Sequence, residues 1–546
     1  MPELSDLLAK GYLPKELPTP FNSVSYAASL ARPPSGFLRD KLWRRPCVHN
    51  LARPGMAPRT VSILGPVHFF RLASLIASEW DELDSAVNRS TISLSRPVVD
   101  ASGLRALVPI PGVGRIAARA EHRATSRYLI EVDVSQFYPS IYTHALDWAV
   151  RGKPTAKADP HAKTGLGPLL DLHTREGQDG QTVGIPIGPD TSLVLGELVL
   201  AQVDAELLGS RRARWLHGFR YYDDYELYVA SREEADKALA ALQRILADWQ
   251  LAANPYKIHI KELPEPVEDE WLSVLKRFQV RPGSSQERSD LNALFDESFR
   301  LARAYPREPV IAYALAHFVT RENREPHRVQ KANWPHLEKL LLQASLGEPG
   351  VLPKAVVLLN WARVRGRPLD RSTLSRALTT MVLENAVRGH ASEVAWALWT
   401  SIVLEVPLPS VAGRAVSGLQ DDIVALVALH SLSLGMIRGV DAAPWQQLMN
   451  AGALSSEHWL LAYEAYEHGW LASFDGTDYV GSDPVFSYLR GHGVRFYDEK
   501  ASLPALPTAP KTPRPTAVTR RRIDRDQLVG VESEPEGVYL PPDWYS

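Results

Sequence analysis

Near residue 265 the apolar residues change their spacing, and that change limits the fold more than any other feature of the chain. Before it, short β-branched runs alternate with helical patterns. A Pro- and acid-rich stretch then intervenes, Leu263-Pro-Glu-Pro-Val-Glu-Asp-Glu270. From about Leu291 to Tyr466 the spacing is helical almost throughout, in blocks such as Pro309–Val319, Trp334–Ala344, Val351–Val364, Thr373–Ala386 and Glu393–Leu404. The expected class is therefore α+β, with a mixed first half and an all-helical second half. Consecutive short helices suggest an α-solenoid or helical-repeat domain. No strict period is present, and an irregular helical bundle would read the same.

The chain has 546 residues, which predicts more than one domain at roughly 100–200 residues each. With 45% hydrophobic and 23% charged residues it is an ordinary globular composition, which excludes a disordered or fibrous chain. No stretch approaches the ~18 apolar residues of a membrane span. Met1-Pro-Glu-Leu-Ser-Asp6 is not a signal-peptide start. The single cysteine, Cys47, excludes an internal disulfide and a cysteine-built zinc site, and a reducing cytoplasm fits. The expected divisions are an N-terminal extension over 1–60, a mixed domain over 61–280, a helical domain over 281–500 and a Pro/Arg-rich flexible tail over 501–546. The tail carries Pro504, Pro507, Pro510, Pro513 and Pro515, then Arg520-Arg521-Arg522. A net charge of −2 on its face argues against a nucleic-acid partner.

Within the mixed half, Val67–Leu83 has helical spacing and Thr91–Leu107 is β-prone. Tyr128–Val134 is an apolar strand, followed by a helix over Tyr142–Val150. Arg151–Gly180 reads as loop with one helix near Leu169. Ser192–Leu208 reads as a helix, Phe219–Val229 as a hairpin and Arg232–Gln250 as an amphipathic helix.

Three acids stand out. Asp133 closes the apolar strand, and Asp223 and Asp224 sit at the hairpin tip among Tyr221, Tyr222 and Tyr225. A lone acid at a strand end is ordinarily a cap or a solvated turn residue. Two adjacent acids at one tip repel unless a cation compensates. If the two strands are neighbours, Asp133 and Asp223 meet at one edge. They could then hold two Mg²⁺ about 3.5–4 Å apart. Gln181-Thr-Val-Gly184-Ile-Pro186-Ile-Gly188-Pro-Asp-Thr-Ser192 is a Gly/Pro-punctuated loop whose backbone could approach a base or sugar. A plain turn with Thr191 or Ser192 as a helix cap is the alternative. Lys257 could protonate or neutralise a leaving pyrophosphate, or be a solvated surface lysine.

Taken in order, Asp133-Val-Ser-Gln-Phe137-Tyr138, Gln181 to Gly188, Arg220-Tyr-Tyr-Asp-Asp224 and Asn254-Pro-Tyr-Lys257 resemble motifs A to D of reverse transcriptases. The resemblance covers roughly Pro97–Phe278, as fingers and palm. It implies that Asp133, Asp223 and Asp224 are the metal-binding triad, served by two Mg²⁺ with Mn²⁺ able to substitute. It implies that Tyr138 screens the sugar 2′-hydroxyl, that Gln181, Gly184, Pro186 and Gly188 belong to the loop at the nascent base pair, and that Lys257 is the motif D lysine. Phe137-Tyr-Pro-Ser-Ile-Tyr-Thr-His144, Gly184-Ile-Pro-Ile-Gly-Pro-Asp-Thr-Ser192 and Lys10-Gly-Tyr-Leu-Pro-Lys-Glu-Leu-Pro18 are similar to the bacterial abortive-infection (Abi) and defence-associated group. So are Glu457–Glu464 and Gly493-Val-Arg-Phe-Tyr-Asp498. In that group an α-helical repeat (HEAT-like) domain stands in place of an ordinary thumb. The resemblance implies DNA synthesis from dNTPs on nucleic acid, in some members without template, started on a protein tyrosine, and carried out by multimers. Tyr12, Tyr539 and Tyr545 are the priming candidates.

Basic residues gather in two places. Arg105, Arg115, Arg119, Arg123 and Arg127 precede motif A, where the family's fingers grip the triphosphate; Arg105 and Arg115 are singled out. Arg211, Arg212, Arg214 and Arg220 precede the acidic tip and are expected to contact a nucleic-acid backbone, with a surface charge cluster as the alternative. Pro111-Gly-Val-Gly114 lacks the Lys-Ser/Thr of a phosphate loop. Trp396 and Trp399 read as core. The −2 charge is thus an average over unlike parts, and the expected binding is confined to an internal channel. Two other readings remain open: an RNA-templated enzyme with a mobile-element or housekeeping role, and a non-catalytic RNA-binding scaffold.

Overall fold

The computed structural model describes residues 1–30, 43–110, 114–209, 215–316, 318 and 329–503. Two strands come first: β1 (Cys47–Arg53) and β2 (Met56–Ile63) form an antiparallel hairpin closed by Pro54-Gly55. β3 (Pro97–Val99) and β4 (Leu107–Pro109) form a second small hairpin. The remaining strands, β5 (Tyr128–Asp133), β6 (His217–Tyr221), β7 (Asp224–Val229) and β8 (His259–Glu262), make one antiparallel sheet in the order β6-β7-β5-β8.

The two-residue period of the sheet separates two kinds of packing. Ile130 and Val132 of β5 and Tyr225, Leu227 and Val229 of β7 join the main core, together with residues of the helices Asp190–Gly209 and Arg232–Asp248. Leu129, Phe219 and Tyr228 join a separate small cluster with Ala118 and Leu263. Asp133 lies in the same alternate set as Leu129, on the face away from the main core.

The helix Asp190–Gly209 is buried around most of its circumference, because the sheet and other helices surround it. Gly196 is needed there. A Cβ at that position would stand 3.1 Å from the Phe137 ring and 3.2 Å from that of Tyr138. The helix Arg232–Asp248 starts with a capping box, in which the Ser231 hydroxyl accepts from the Glu234 amide and the Glu234 carboxylate accepts from the Ser231 amide.

Several boundaries differ from the sequence reading. Val67–Leu83 is two helices, Pro66–Ser78 and Trp80–Val87, interrupted at Glu79. Arg151–Gly180 contains two helices, Lys153–Ala158 and Leu166–Glu176. A division at residue 60 would cut β2, and the stretch before it is no appendage. Tyr12 and Tyr26 are fully buried, with Tyr12 stacked on Phe69 at 4.1 Å between ring centres. The chain's later residues close over them. The Asn22 amide donates to the Phe496 carbonyl at 3.0 Å and the Asp498 amide to Pro20 at 2.9 Å. Phe496 and Tyr497 pack edge-on to Tyr12 and Phe21.

The second half is helical. After β8, the described residues show only isolated bridges, at Leu408–Ile437 and Phe21–Tyr497. Its helices divide between two cores. Most of the buried apolar residues from Trp271 to Ala377, with Leu404 and Val406, build one of their own. Most of the apolar residues from Leu378 to Leu503 belong to the main core with the sheet. The β1–β2 hairpin is fastened to this later part: the Ala52 amide donates to Ser392 Oγ, His49 pairs with Asp421 at 2.9 Å, and Trp459 Nε1 reaches the Ile63 carbonyl. Trp399 is core; Trp396 is nearly buried and donates to the Glu16 carbonyl. No described helix is long and apolar enough to cross a membrane. The tail beyond Leu503 lies outside the described residues.

Tyr12 offers a test of this closure. Replacing it by Ala should cost about 3–5 kcal/mol. Tyr12→Phe, which loses only the hydroxyl hydrogen bond to the Leu64 carbonyl, should cost about 1 kcal/mol. Denaturation midpoints compare the two.

Candidate active site

The register of the sheet assembles the acids. Asp133, the last residue of β5, stands directly opposite Asp224, the first of β7, and Asp223 occupies the turn between β6 and β7. The Val134 amide donates to the Asp223 carbonyl at 3.1 Å, which ties the turn to the end of β5. Tyr222, just before Asp223, has a left-handed φ of 52°.

Cations of the protein face these acids. Lys257 Nζ is 2.7 Å from Asp133 Oδ2, and Asn254 Nδ2 donates to Asp133 Oδ1 at 3.1 Å. Lys257 rides on the one-turn helix Pro255–Lys257, which Asn254 caps. Arg115 opens the helix Arg115–Arg123, reaches Asp224 Oδ2 at 3.3 Å and lies over the Tyr221 ring. Arg119 from the same helix holds Glu226, the next residue on that face of β7, through paired contacts of 2.6–3.0 Å.

Charge repulsion is written into the acidity of the tip. Burial, and then the carboxylates of Asp224 and Asp133, push Asp223 up to about 7, against a lowering influence from Arg59. Asp224 is also raised, by burial first, with Arg115 and Lys257 opposing. Lys257 is raised as well. Burial lowers it, but Asp133 and the other two acids outweigh burial and hold the ammonium protonated.

Three carboxylates that repel one another form a hard-oxygen donor set suited to a divalent cation such as Mg²⁺. Among the described residues, no three His, Cys, Asp or Glu side chains converge closely enough to hold an ion as they stand. Asp133 and Asp224 are turned to Lys257 and Arg115 instead. Those ion pairs show that the oxygens seek positive charge, so the donor set fits a metal that draws them round.

The Gln181–Gly188 loop is stitched to the segment after Asp133. The Ile185 amide donates to the Tyr138 carbonyl, Gly184 to Ile141 and Thr143 to the Thr182 carbonyl. Gly184 takes a φ of 90°, and Gly188 one of 128° where Pro14 crowds it. Gly184 and Pro186 are buried, Gly188 and Tyr138 half-buried, and Gln181 exposed. The loop also accepts a hydrogen bond from β2, from the Ser62 amide to the Ile187 carbonyl at 2.7 Å.

Several expected contacts are corrected. Arg105 does not present its fork to a ligand: Nε and NH2 bind Asp190, and NH1 donates to the Leu13 carbonyl at 2.9 Å. Together with the Ala106 and Leu107 amides it fixes the start of the helix Asp190–Gly209. Arg220 is fully buried and cannot touch a nucleic-acid backbone; it pairs with Glu197 and Asp204. Tyr12, fully enclosed, cannot serve as a priming hydroxyl. Arg211, Arg212, Arg214, Tyr539, Tyr545 and Pro111-Gly112-Val113 lie outside the described residues.

Sequence reasoning also passed over residues near the acids. Arg59 on β2 acts electrostatically on Asp223, and Arg53 across the Pro54-Gly55 turn is lowered by burial and by Arg59. The Pro-Gly pair between two basic residues was the available signal. On the other side, Glu308 is raised by burial and by Asp269, within electrostatic reach of Lys257, Arg115 and Asp224. A Cβ on Gly55 would stand 2.4 Å from the Pro306 carbonyl, so the hairpin tip touches the loop that carries Glu308.

Residues 81–280 match the family described as reverse transcriptase (RNA-dependent DNA polymerase). This segment is a reverse-transcriptase domain. Its family indicates RNA-directed nucleotidyl transfer, chemistry carried out with divalent metal ions. All three acids, Lys257, Arg115 and the Gln181–Gly188 loop lie within the reverse-transcriptase domain, whereas β1 and β2 precede it. No curated protein matches the chain. Solved structures that resemble it include telomerase from Candida albicans in complex with a fragment of telomeric RNA, at 11% identity and a TM-score of 0.28, covering 67% of this chain and 65% of that one. Apo telomerase from Candida tropicalis matches at 10% identity and a TM-score of 0.30, covering 74% and 67%. The chain thus spans about two thirds of the length of these structures, just under that share for the first.

The raised pKa of Asp223 has a measurable sign. Its folded value lies above the unfolded one, so ionisation works against the metal-free fold. Stability from this source is lost as pH rises from about 4 to about 7. Metal binding needs the deprotonated acids and should weaken as pH falls below 7. Calorimetric titration with Mn²⁺ should give a Kd about fivefold weaker at pH 6 than at pH 7, and about tenfold weaker than at pH 8. Equal affinity at all three would remove the raised acid from the site.

Proposed function

We propose that the chain is a DNA polymerase that adds dNTPs to a hydroxyl, with Asp133, Asp223 and Asp224 holding two Mg²⁺. The observation that carries this reading is the register that puts Asp133 opposite Asp224, with Asp223 in the adjoining turn, inside the segment that matches the reverse-transcriptase family. When bound, the ions would promote attack by the hydroxyl and offset the charge of the leaving pyrophosphate. The chain's own residues supply the rest. Lys257 keeps its proton beside Asp133 and can pass it from Nζ to the leaving group. Arg115, and Arg59 on the neighbouring hairpin, add fixed positive charge where phosphate oxygens would lie. The stitched loop from Gln181 to Gly188 and the Tyr138 ring offer a rigid wall for the base and sugar.

The biological setting we infer is defence against phage. Its support is the sequence likeness of Phe137–His144, Gly184–Ser192 and the two end motifs to abortive-infection enzymes. The packing of Lys10–Pro18 near Gly493–Asp498 gives those two end motifs a shared structural purpose. RNA is the expected template, with template-free synthesis, a protein primer and multimers as further features that rest on the same likeness. Buried Cys47 fits a reducing cytoplasm. For a protein primer, Tyr539 and Tyr545 remain candidates. A mobile-element enzyme or an RNA-binding scaffold is the competing reading.

Asp223→Asn with Asp224→Asn should lower incorporation of labelled dNTPs by about a thousandfold or more. The metal-free double variant should melt no lower than wild type, because it loses a repulsive pair. Normal polymerisation by that variant would refute the metal-site assignment. Plating phage on cells with wild type or variant separates defence from other roles, and equal plaque counts would remove the defence claim. Product that runs free of protein before protease treatment would count against protein priming.

A further inference from the structure

Beneath the acidic turn lies a buried charge network that the chemistry above does not use. Arg220, on β6, is fully buried. Its NH1 and NH2 bind the two Glu197 oxygens at 2.7 and 3.0 Å, and its Nε binds Asp204 Oδ2 at 2.9 Å. Both acids project from the helix Asp190–Gly209. Hydroxyls complete the shell. Ser93 and Ser95 donate to Glu197, and Ser90 and Tyr225 to Asp204, at 2.6–2.8 Å. Burial pushes Glu197 up, but Arg220 and the serines outweigh it and hold the carboxyl below its ordinary range.

One guanidinium facing two carboxylates is a costly thing to bury, and packed apolar side chains of similar volume would often be no less stable. What apolar side chains could not do is reach the turn. Arg220 NH1 also donates to the Tyr222 carbonyl at 2.7 Å. On the other side of the same residue, the Tyr222 amide donates to Ser95 Oγ at 2.7 Å, and Ser95 in turn donates to Glu197. Both backbone groups of Tyr222 are therefore held by one network. Tyr222 is also the non-glycine residue in left-handed conformation immediately before Asp223. Left-handed backbone is costly for a residue of this kind and persists only where its surroundings impose it.

We propose that Arg220, acting with Glu197 and Ser95, is a positioning residue that clamps Tyr222 in its left-handed turn and so sets Asp223 and Asp224 at the spacing metal binding requires. The inference rests on the polymerase reading for its consequence, but the clamp can be tested by metal binding alone. Arg220 is a strut beneath the site and touches no substrate.

Three full-length variants test it. Ser95→Ala removes the acceptor of the Tyr222 amide and leaves the ion pairs intact. Arg220→Lys keeps the charge but cannot span Glu197, Asp204 and the Tyr222 carbonyl together. The combination Arg220→Gln, Glu197→Gln and Asp204→Asn removes all buried charge, so the fold persists while the charged clamp is lost. Mn²⁺ alone is the probe, followed by electron paramagnetic resonance, beside thermal melting and dNTP incorporation. The expected result is a folded Ser95→Ala protein, and at least one folded Arg220 variant, with Mn²⁺ affinity weakened about tenfold or more. The Mg²⁺ concentration for half-maximal incorporation should rise in step, kcat should fall, and KM for dNTP should stay within about twofold. Folded variants that bind Mn²⁺ as wild type does would overturn the clamp. So would loss confined to variants that unfold, with Ser95→Ala unaffected. A wild-type protein that binds Mn²⁺ without incorporating dNTP sinks the polymerase reading and leaves the clamp to be judged by affinity. A wild-type protein that binds no Mn²⁺ overturns both.

Discussion

Mutual repulsion among Asp133, Asp223 and Asp224 is the constraint around which the first half of the chain is arranged. Antiparallel pairing of β5 with β7 forces two of them face to face, and the turn adds the third. Left alone, such a trio would splay apart or take up protons. Lys257 and Arg115 approach from two different elements, while Arg59 belongs to a hairpin outside the four-stranded sheet. The backbone is held from below by Arg220 and Ser95. Positive charge above and hydrogen bonds beneath allow a high density of negative charge to persist at one sheet edge.

The sheet separates these tasks by its period. One face of β5 and β7 carries acids, answered by arginines of the helix Arg115–Arg123, with only a small apolar cluster alongside. The opposite face is apolar and joins the main core. A shift of pairing by one residue would exchange the faces and bury the carboxylates. The apolar contacts of Ile130, Val132, Leu227 and Val229 therefore specify the placement of the three acids as firmly as any polar contact does.

Much of this was legible in the sequence where the information is local. The hairpin tip, the apolar strand ending in Asp133, the capped amphipathic helix and the run of later helices all follow from short-range period and turn chemistry. Arg220 was misread because its partners, Glu197 and Asp204, sit on a helix that reads as apolar, and only tertiary packing turns that helix beneath β6. Tyr12 was misread because a Pro- and Gly-rich surround reads as flexible, whereas residues near 496 enclose it from far along the chain. The β1–β2 hairpin escaped notice for another reason. Its burial alternates, but buried His49 neighbours exposed Val48, so the polarity runs against the pattern and hides it. Arg105 shows the same limit in reverse, since only the fold supplies Asp190 to occupy it.

The pairing of residues 20–22 with 496–498 bears on how the protein comes into being. Tyr12, Tyr26 and Phe69 wait for Phe496 to complete their enclosure, and the β1–β2 hairpin waits for the helices around Ser392 and Asp421. A ribosome would release the whole of residues 81–280 long before those partners emerge. Contacts of such long sequence separation form late and slowly. The N-terminal residues thus gain their full enclosure only once residues 496–498 have been made, and a chain interrupted before them would carry Asp133, Asp223 and Asp224 without that enclosure.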